Sequence, residues 1–362
     1  SQKLAELIQA QKWDAISMAL YGIDDIEDSM KSTVQSIYQQ QRSGSNIRAV
    51  FDIKEKEGNN IIFPYDGNIE IFENLNKTKS SAARFENPIS RDIMHNKFFV
   101  FKKGTRALVW TGTTNVSRTC MGFEENANMS VLIDDSDIAQ VFQNEFEEMY
   151  GTATNSGQFH KAKRPNTLRY FQFQDGHEVK VHFSPTDDGE HRSIIPFILS
   201  AQKNDELRIS MFGTGGIELV RALQFAAAKG VKIRIILDRM TGFLPGSWAN
   251  HKTVPNLYDV NPYLSGSENN IELRFSTWSG LNHLKTATLT RSMPNGTKKV
   301  ETMIVGSQNW SASGNDDNDE NMLTIRNLNP QSQGLESGLL FNKYFDKALW
   351  PNSQFIEEKS KN

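Results

Sequence analysis

One pattern is written twice in this chain, and that duplication constrains its fold more than any other feature. AQKWDAISM at Ala10–Met18 returns as AQKNDELRISM at Ala201–Met211, and the later matches keep their order, as an internal repeat requires. In each copy a helix-length segment stops at a glycine eight residues before an aspartate, Gly44 to Asp52 and Gly230 to Asp238. That spelling reads as helix, glycine stop, strand. NIEIF at Asn68–Phe72 and NIELRF at Asn270–Phe275 follow, each alternating like a strand. Next come MHNKFFVF around His95 and NHLKTATL around His283, then WTGTTNVS at Trp110–Ser117 and IVGSQNWS at Ile304–Ser311. FQNEFEEMY and FNKYFDKALW close the copies as amphipathic helices.

Alternating β and α elements place the chain in the α/β class, as two tandem α/β/α repeats with largely parallel sheets flanked by helices. The expected division is a first repeat over 1–150, a connecting loop over 151–176, a second repeat over 177–352 and a tail over 353–362. The loop is polar and rich in Gly, Ser and Pro, as GTATNSGQFHKAKRPNT shows. VKVHFSP at Val179–Pro185 precedes the second AQK segment with no counterpart before the first, so an upstream strand is expected to be missing from the first repeat. The chain starts without Met, which fits an exported protein, secreted or periplasmic, as well as a trimmed one.

At 362 residues and 38% hydrophobic content the chain can bury a substantial core. A net charge of −3 excludes a wholly basic nucleic-acid-binding surface but not a local basic groove. No apolar run reaches the roughly 18 residues of a membrane span. Cys120 is the single cysteine, so it permits no internal disulfide or cysteine metal cluster and reads as a small buried hydrophobe.

Of seven histidines only His95 and His283 stand in an H-x-K triplet, and both occupy the same slot of the repeat. His160, His177, His182, His191 and His251 have no such companion. Each triplet leads into a strand and then a G-[TS]-x-N turn, bringing Asn115 and Asn309 downstream of Lys97 and Lys285. Two residues apart on a strand, His and Lys share a face.

The doubled H-x-K with doubled G-[TS]-x-N resembles the phospholipase D superfamily, whose half-sites read H-x-K-x4-D, then G-S-x-N, then a glutamate. The resemblance covers nearly the whole chain. NDENML at Asn318–Leu323 puts Glu320 in the glutamate's place, while EENANM at Glu124–Met129 is shifted and leaves Glu125 as the nearest candidate. Lys102 and Thr290 stand where the motif aspartates would. That loss is similar to the tyrosyl-DNA phosphodiesterase branch, which uses His, Lys and Asn without the aspartate, and the half-site spelling also looks like the bacterial nuclease-type members.

The resemblance implies two half-sites meeting across a pseudo-twofold axis in a metal-independent phosphodiesterase without cofactor. One imidazole attacks phosphorus to give a phosphohistidine and the other protonates the leaving oxygen. The lysines and asparagines hold the non-bridging oxygens. By family habit His95 is the nucleophile and His283 the acid, with Glu320 fixing the His283 tautomer. The acidic run Asp316, Asp317, Asp319 and Glu320 lacks the spacing of a calcium loop.

Nucleic acid is the leading substrate, ahead of phospholipid. Lys161, Lys163 and Arg164 beside His160, and Lys77, Lys79 and Arg84 ahead of His95, could line a backbone-tracking groove or be solvated loop charges. Phe243, Leu244 and Trp248 of TGFLPGSW could enter a lipid interface, stack on bases or pack as a lid. A third reading is an inactive module that holds phosphorylated ligands. Nothing in the sequence bears on oligomeric state.

Overall fold

The computed structural model describes residues 2–24, 28–52, 55–57, 60–62, 66–78, 82–85, 92–121, 126–152, 157–166, 169–239, 270–329 and 331–354. Within the first repeat, α1 (Gln2–Gln9) buries Leu4, Ala5 and Ile8 on one face and leads into β1 (Ala15–Leu20). The polar helix α2 (Asp28–Arg42) returns the chain for β2 (Asn46–Phe51) to pair parallel to β1. Gly44 makes the turn between them at φ 88, as Gly230 does at the matching place, a backbone state that a side chain resists.

A short hairpin, β3 (Glu55–Glu57) with β4 (Asn60–Ile62), and the helix α3 (Asp66–Asn76) precede β5 (Ala82–Phe85), which pairs parallel to β2. Then β6 (Lys97–Lys103), β7 (Arg106–Gly112) and β8 (Ser130–Ile133) add antiparallel. Between the last two strands lies α4 (Arg118–Met121), and α5 (Ser136–Tyr150), capped by the Asp135 carboxylate, closes the repeat. The sheet order is β5-β2-β1-β6-β7-β8.

The second repeat reproduces this order. β9 (Tyr170–Gln172) and β10 (His177–Ser184) lead into α6 (Ile195–Ser200), β11 (Glu206–Met211), α7 (Ile217–Ala228) and β12 (Lys232–Leu237). β13 (Ile271–Ser276), β14 (Lys285–Ser292), β15 (Lys298–Gly306) and β16 (Glu320–Asn327) follow, then the helix Glu336–Tyr344 and β17 (Ser353–Gln354). The order β17-β13-β12-β11-β14-β15-β16-β10-β9 contains the six-strand order of the first sheet with three strands added at its edges.

The duplicated α/β architecture is as expected, with the sheets mixed in direction. Among the named strands parallel pairing is confined to β5-β2-β1 and β13-β12-β11, with α2, α3 and α7 crossing over within them. The strands after each H-x-K are joined by tight turns, and such connections make antiparallel neighbours. NIEIF lies inside α3 rather than in a strand, with Ile71 and Leu75 buried one helical turn apart. The first-repeat counterpart of β13 is β5, so the NIE match is accidental.

The repeats share a core. Phe98 and Phe142 of the first pack in one cluster with Phe183, Val305 and Leu323 of the second, and the Phe142 and Phe183 rings meet edge to face at 5.2 Å. Asn96, between His95 and Lys97, is fully buried beside this cluster; its Nδ2 reaches only Met149 Sδ at 3.6 Å, and its Oδ1 has no hydrogen-bond partner among the described residues. The matching position is Leu284, also fully buried. Asn96→Leu is therefore expected to stabilise the protein by about 1–2 kcal/mol in urea unfolding, since it removes an unsatisfied buried amide at similar volume. A lower midpoint would contradict this reading of Asn96.

Candidate active site

The ends of the parallel strands place the two H-x-K triplets. Asp52 follows β2 and Asp238 follows β12; the Asp52 carboxylate accepts the Met94 N–H at 3.0 Å, and that of Asp238 accepts the Asn282 N–H at 2.7 Å. The residue before each histidine is thus pinned by the aspartate whose repeated spacing the sequence shows. Each lysine opens the next strand and donates back to its own histidine's carbonyl, Lys97 Nζ to His95 O at 2.7 Å and Lys285 Nζ to His283 O at 2.9 Å.

Beneath each pair lies an aromatic ring at the end of the central strand. The Tyr21 ring meets His95 at 5.0 Å and carries the Lys97 ammonium at 5.4 Å. The Phe212 ring does the same for His283 at 5.4 Å and Lys285 at 4.9 Å. Such ring faces attract cations while keeping water away.

Each histidine is held by the opposite repeat. His95 Nδ1 lies 2.8 Å from both Glu320 oxygens, Glu320 being the first residue of β16. His283 Nδ1 lies 2.9 Å from Asn128 Oδ1, just before β8. The Asn128 amide is oriented by its surroundings, since its Nδ2 donates to the Cys120 and Asn126 carbonyls and its Oδ1 accepts from the Thr113 hydroxyl. The main chain repeats the exchange: Ala127 N donates to Leu281 O at 2.8 Å, and Asp319 N to Ile93 O at 3.0 Å.

This geometry corrects the expected pairing. Glu320 backs His95, not His283, because β16 crosses to the other repeat's histidine. Glu125 lies outside the described residues, and Asn128 holds the position that matches Glu320. The sequence hides this by one residue: the Asn-Met pairs at Asn128 and Asn321 look equivalent, but Thr113 N bonds Met129 O where Ser307 N bonds Asn321 O. Met129 therefore matches Asn321, and Asn128 matches Glu320.

The motif glycines have a packing role. A Cβ on Gly112 would sit 2.2 Å from Met129 O, and one on Gly306 would sit 2.2 Å from Asn321 O. Only glycine lets β7 and β15 approach the strands that carry Asn128 and Glu320 this closely. Asn115 and Asn309 follow in the turns beside these strands, and Asn309 Oδ1 is buried with no hydrogen-bond partner among the described residues. Lys102 is exposed at the far end of β6, and Thr290 accepts a hydrogen bond from Asn342 at the far end of β14. The missing motif aspartates thus fall away from the histidines.

Burial dominates the titration of the cluster. It pushes Lys97 down to about 7 and Lys285 down to about 8, and it pushes the Glu320 carboxyl up to about 7. Both imidazoles fall well below their ordinary range, first from burial and then from the two ammonium groups, each histidine feeling both lysines. Two lysines, two histidines and Glu320, five groups from two repeats, therefore form one electrostatic unit. Cys120 is buried as expected but belongs to this unit, its Sγ 3.9 Å from His283 Nδ1.

The groove candidates fare differently. Lys163 is fully buried, with its ammonium on Asp319 at 2.7 Å, on the Ser184 carbonyl at 2.9 Å and on Glu145. It cannot reach a substrate, and this corrects the expectation for it. Lys161 is exposed and pairs with Asp317 at 3.2 Å, Arg164 with Glu148 at 3.3 Å, and Lys77 bonds Asn74 at 3.0 Å. Lys79, Phe243, Leu244, Trp248 and His251 lie outside the described residues, as does the Arg84 side chain. His182 is buried against Ser193 at 2.6 Å and lowered to about 4 by burial, and His191 bridges Asp188 and Glu218 on the surface. The acidic run disperses onto separate partners: Asp317 to Lys161, Asp319 to Lys163, Glu320 to His95.

A family model described as "Cardiolipin synthase, PLD-like domain" matches residues 4–150 and 194–347. The chain belongs to this PLD-like domain family. One matched segment falls in each structural repeat, the second beginning after β10. Among solved structures, the chain is similar to a phosphatidylserine synthase of Haemophilus influenzae Rd KW20, at 14% identity and a TM-score of 0.63, over 98% of this chain and 85% of that one. It is also similar to a polyphosphate kinase from Porphyromonas gingivalis, at 14% identity and a TM-score of 0.56, over 99% of this chain and 50% of that one, so it spans about half the kinase. At such identities the likeness is one of fold. No curated protein sequence matches the chain.

A bound anion should return the lysines toward their ordinary charge. Sulfate does not titrate near pH 8, so its binding there is expected to draw protons from the buffer, chiefly onto Lys97. Titration calorimetry in buffers of different ionisation enthalpy reads this directly, and proton release would contradict it.

Proposed function

We propose that the protein is a phosphodiesterase that works through a phosphohistidine on His95, with His283 as general acid. The observation that carries the reading is the unequal backing of the two imidazoles. Both Glu320 oxygens lie 2.8 Å from His95 Nδ1; with the ring proton held there by the carboxylate, the Nε2 lone pair is free and the positive ring formed when Nε2 bonds to phosphorus is stabilised. Among the described residues His283 Nδ1 meets the neutral Asn128 amide and the Cys120 thiol but no carboxylate, so its protonated form is less stabilised and gives up its proton more readily.

In the first step the His95 N–P bond forms as the bond from phosphorus to the leaving oxygen breaks, and His283 supplies the proton that the leaving oxygen takes. In the second, neutral His283 takes a proton from water, the new P–O bond forms and the N–P bond breaks. Lys97 and Lys285 balance the charge of the non-bridging oxygens throughout, with Asn115 and Asn309 as further donors. A metal has no part in this scheme.

For the substrate, nucleic acid remains the first reading, now on half-site spelling, because the buried Lys163 and the paired Lys161 and Arg164 weaken the argument from charge. Phospholipid is the second reading, favoured by the description of the matching family and by the likeness to a phosphatidylserine synthase. A bacterial origin stays part of the proposal on the half-site spelling.

Turnover of bis-p-nitrophenyl phosphate in EDTA is expected, and its absence would favour the inactive binding module. His95→Ala should abolish covalent labelling by the diester, while His283→Ala should slow turnover at least about a hundredfold and let the phosphoenzyme accumulate. Labelling that survives His95→Ala and vanishes in His283→Ala would reverse the two roles. Single-stranded DNA and phosphatidylcholine vesicles then separate the substrates: nucleic-acid cleavage should fall steeply with salt, whereas vesicle hydrolysis with DNA left intact would select the phospholipid reading.

A further inference from the structure

We infer that Lys163 and Asp319 are positioning residues for the His95–Glu320 pair, and that the segment joining the repeats serves to hold them. This rests on the proposed role of His95. Asp319 borders the nucleophile through its main chain: its N–H donates to Ile93 O at 3.0 Å, and its carbonyl accepts the His95 N–H at 2.8 Å. The next residue is Glu320, whose carboxylate orients the His95 ring. Any shift of Asp319 therefore moves both the backbone and the side-chain support of His95.

The Asp319 side chain, fully buried, is gripped by the joining segment. It accepts the Lys163 ammonium at 2.7 Å and the His160 N–H at 2.8 Å, with His160 Nδ1 3.1 Å from its other oxygen. The same ammonium bonds Glu145 on α5 of the first repeat and Ser184 O on β10 of the second. One cation thus ties together both repeats, their connection and the residue beside Glu320.

Duplication does not account for this contact. The position matching Asp319 is Ala127, which bonds Leu281 O in the same way but offers no side chain to a cation. The added grip occurs on the side where the backing group is a carboxylate, and not where it is Asn128. A buried ion cluster is a poor device for stability alone, because apolar residues of similar volume stabilise as well or better. What it supplies is a fixed geometry, and second-sphere contacts of this kind commonly set rates through the group they orient.

The test compares the full-length wild type with Lys163→Met, with the milder Asp319→Asn, and with the apolar replacement Glu145→Leu/Lys163→Met/Asp319→Leu. Three quantities are read: the melting temperature, the low-field proton resonance of His95 Nδ1–H assigned by its loss in His95→Asn, and the burst of p-nitrophenol from bis-p-nitrophenyl phosphate. Folded variants are expected to shift or broaden the resonance and to slow the burst on the order of ten- to a hundredfold. KM should stay within about twofold, because the residues do not touch substrate. The apolar variant should melt no lower than Lys163→Met and yet stay slow. A wild-type resonance and burst in any folded variant, or recovery of the burst along with the melting temperature, would overturn the inference. Absence of a burst in the wild type itself would count against the proposed function, while the resonance would still decide whether Lys163 and Asp319 hold His95.

Discussion

The site depends on an exchange of strands between the two repeats. β16 of the second repeat backs the histidine of the first, and the segment before β8 of the first backs the histidine of the second. Neither repeat alone has both an imidazole and the group that orients it. The shared aromatic core, the glycines that let β7 and β15 approach their neighbours, and the aspartates after β2 and β12 all act to keep this exchange in register. Burial is its consequence, since the meeting surface between the repeats excludes water from two lysines, two histidines and a carboxylate. The resulting depression of the lysines and elevation of Glu320 bring all three near neutrality, where an arriving phosphate can change their protonation at little cost.

What the sequence made legible were features with local spacing. His95, Lys97, Asn115 and their partners could be found because strand, turn and motif fall within about twenty residues of one another and occur twice. The glycine stops and Asp52 and Asp238 were visible for the same reason, although only the structure gives the aspartates a task. The partner of Glu320 was not legible, because which histidine a strand end faces is a fact of assembly between the repeats. Asn128 was obscured by an Asn-Met match shifted by one residue. Lys163 was misleading in the opposite direction: a lysine in a polar loop ordinarily stays in water, and this one is buried because Glu145, Asp319 and the Ser184 carbonyl surround it. NIEIF showed how five residues can fit two periods at once, with the helix chosen by Ile71 and Leu75.

Duplication followed by divergence explains the asymmetry of the two half-sites. The lysines, rings and backbone pins are kept in both, as the proposed holding of a phosphate between them requires. The groups behind the histidines differ, a carboxylate on one side and an amide on the other, as expected if one imidazole must carry phosphorus and the other must part with a proton. The loss of the motif aspartates fits the same picture, since Lys102 and Thr290 lie at the far ends of their strands.

The central claim is that one histidine attacks phosphorus and a second displacement releases it. Each in-line displacement inverts the configuration at phosphorus, so the two together restore it. The most direct measurement is the stereochemical course of hydrolysis of a phosphodiester made chiral at phosphorus with sulfur and oxygen isotopes, with the product configuration read by phosphorus NMR. The account predicts net retention. Net inversion, the outcome of a single direct attack by water, would contradict it.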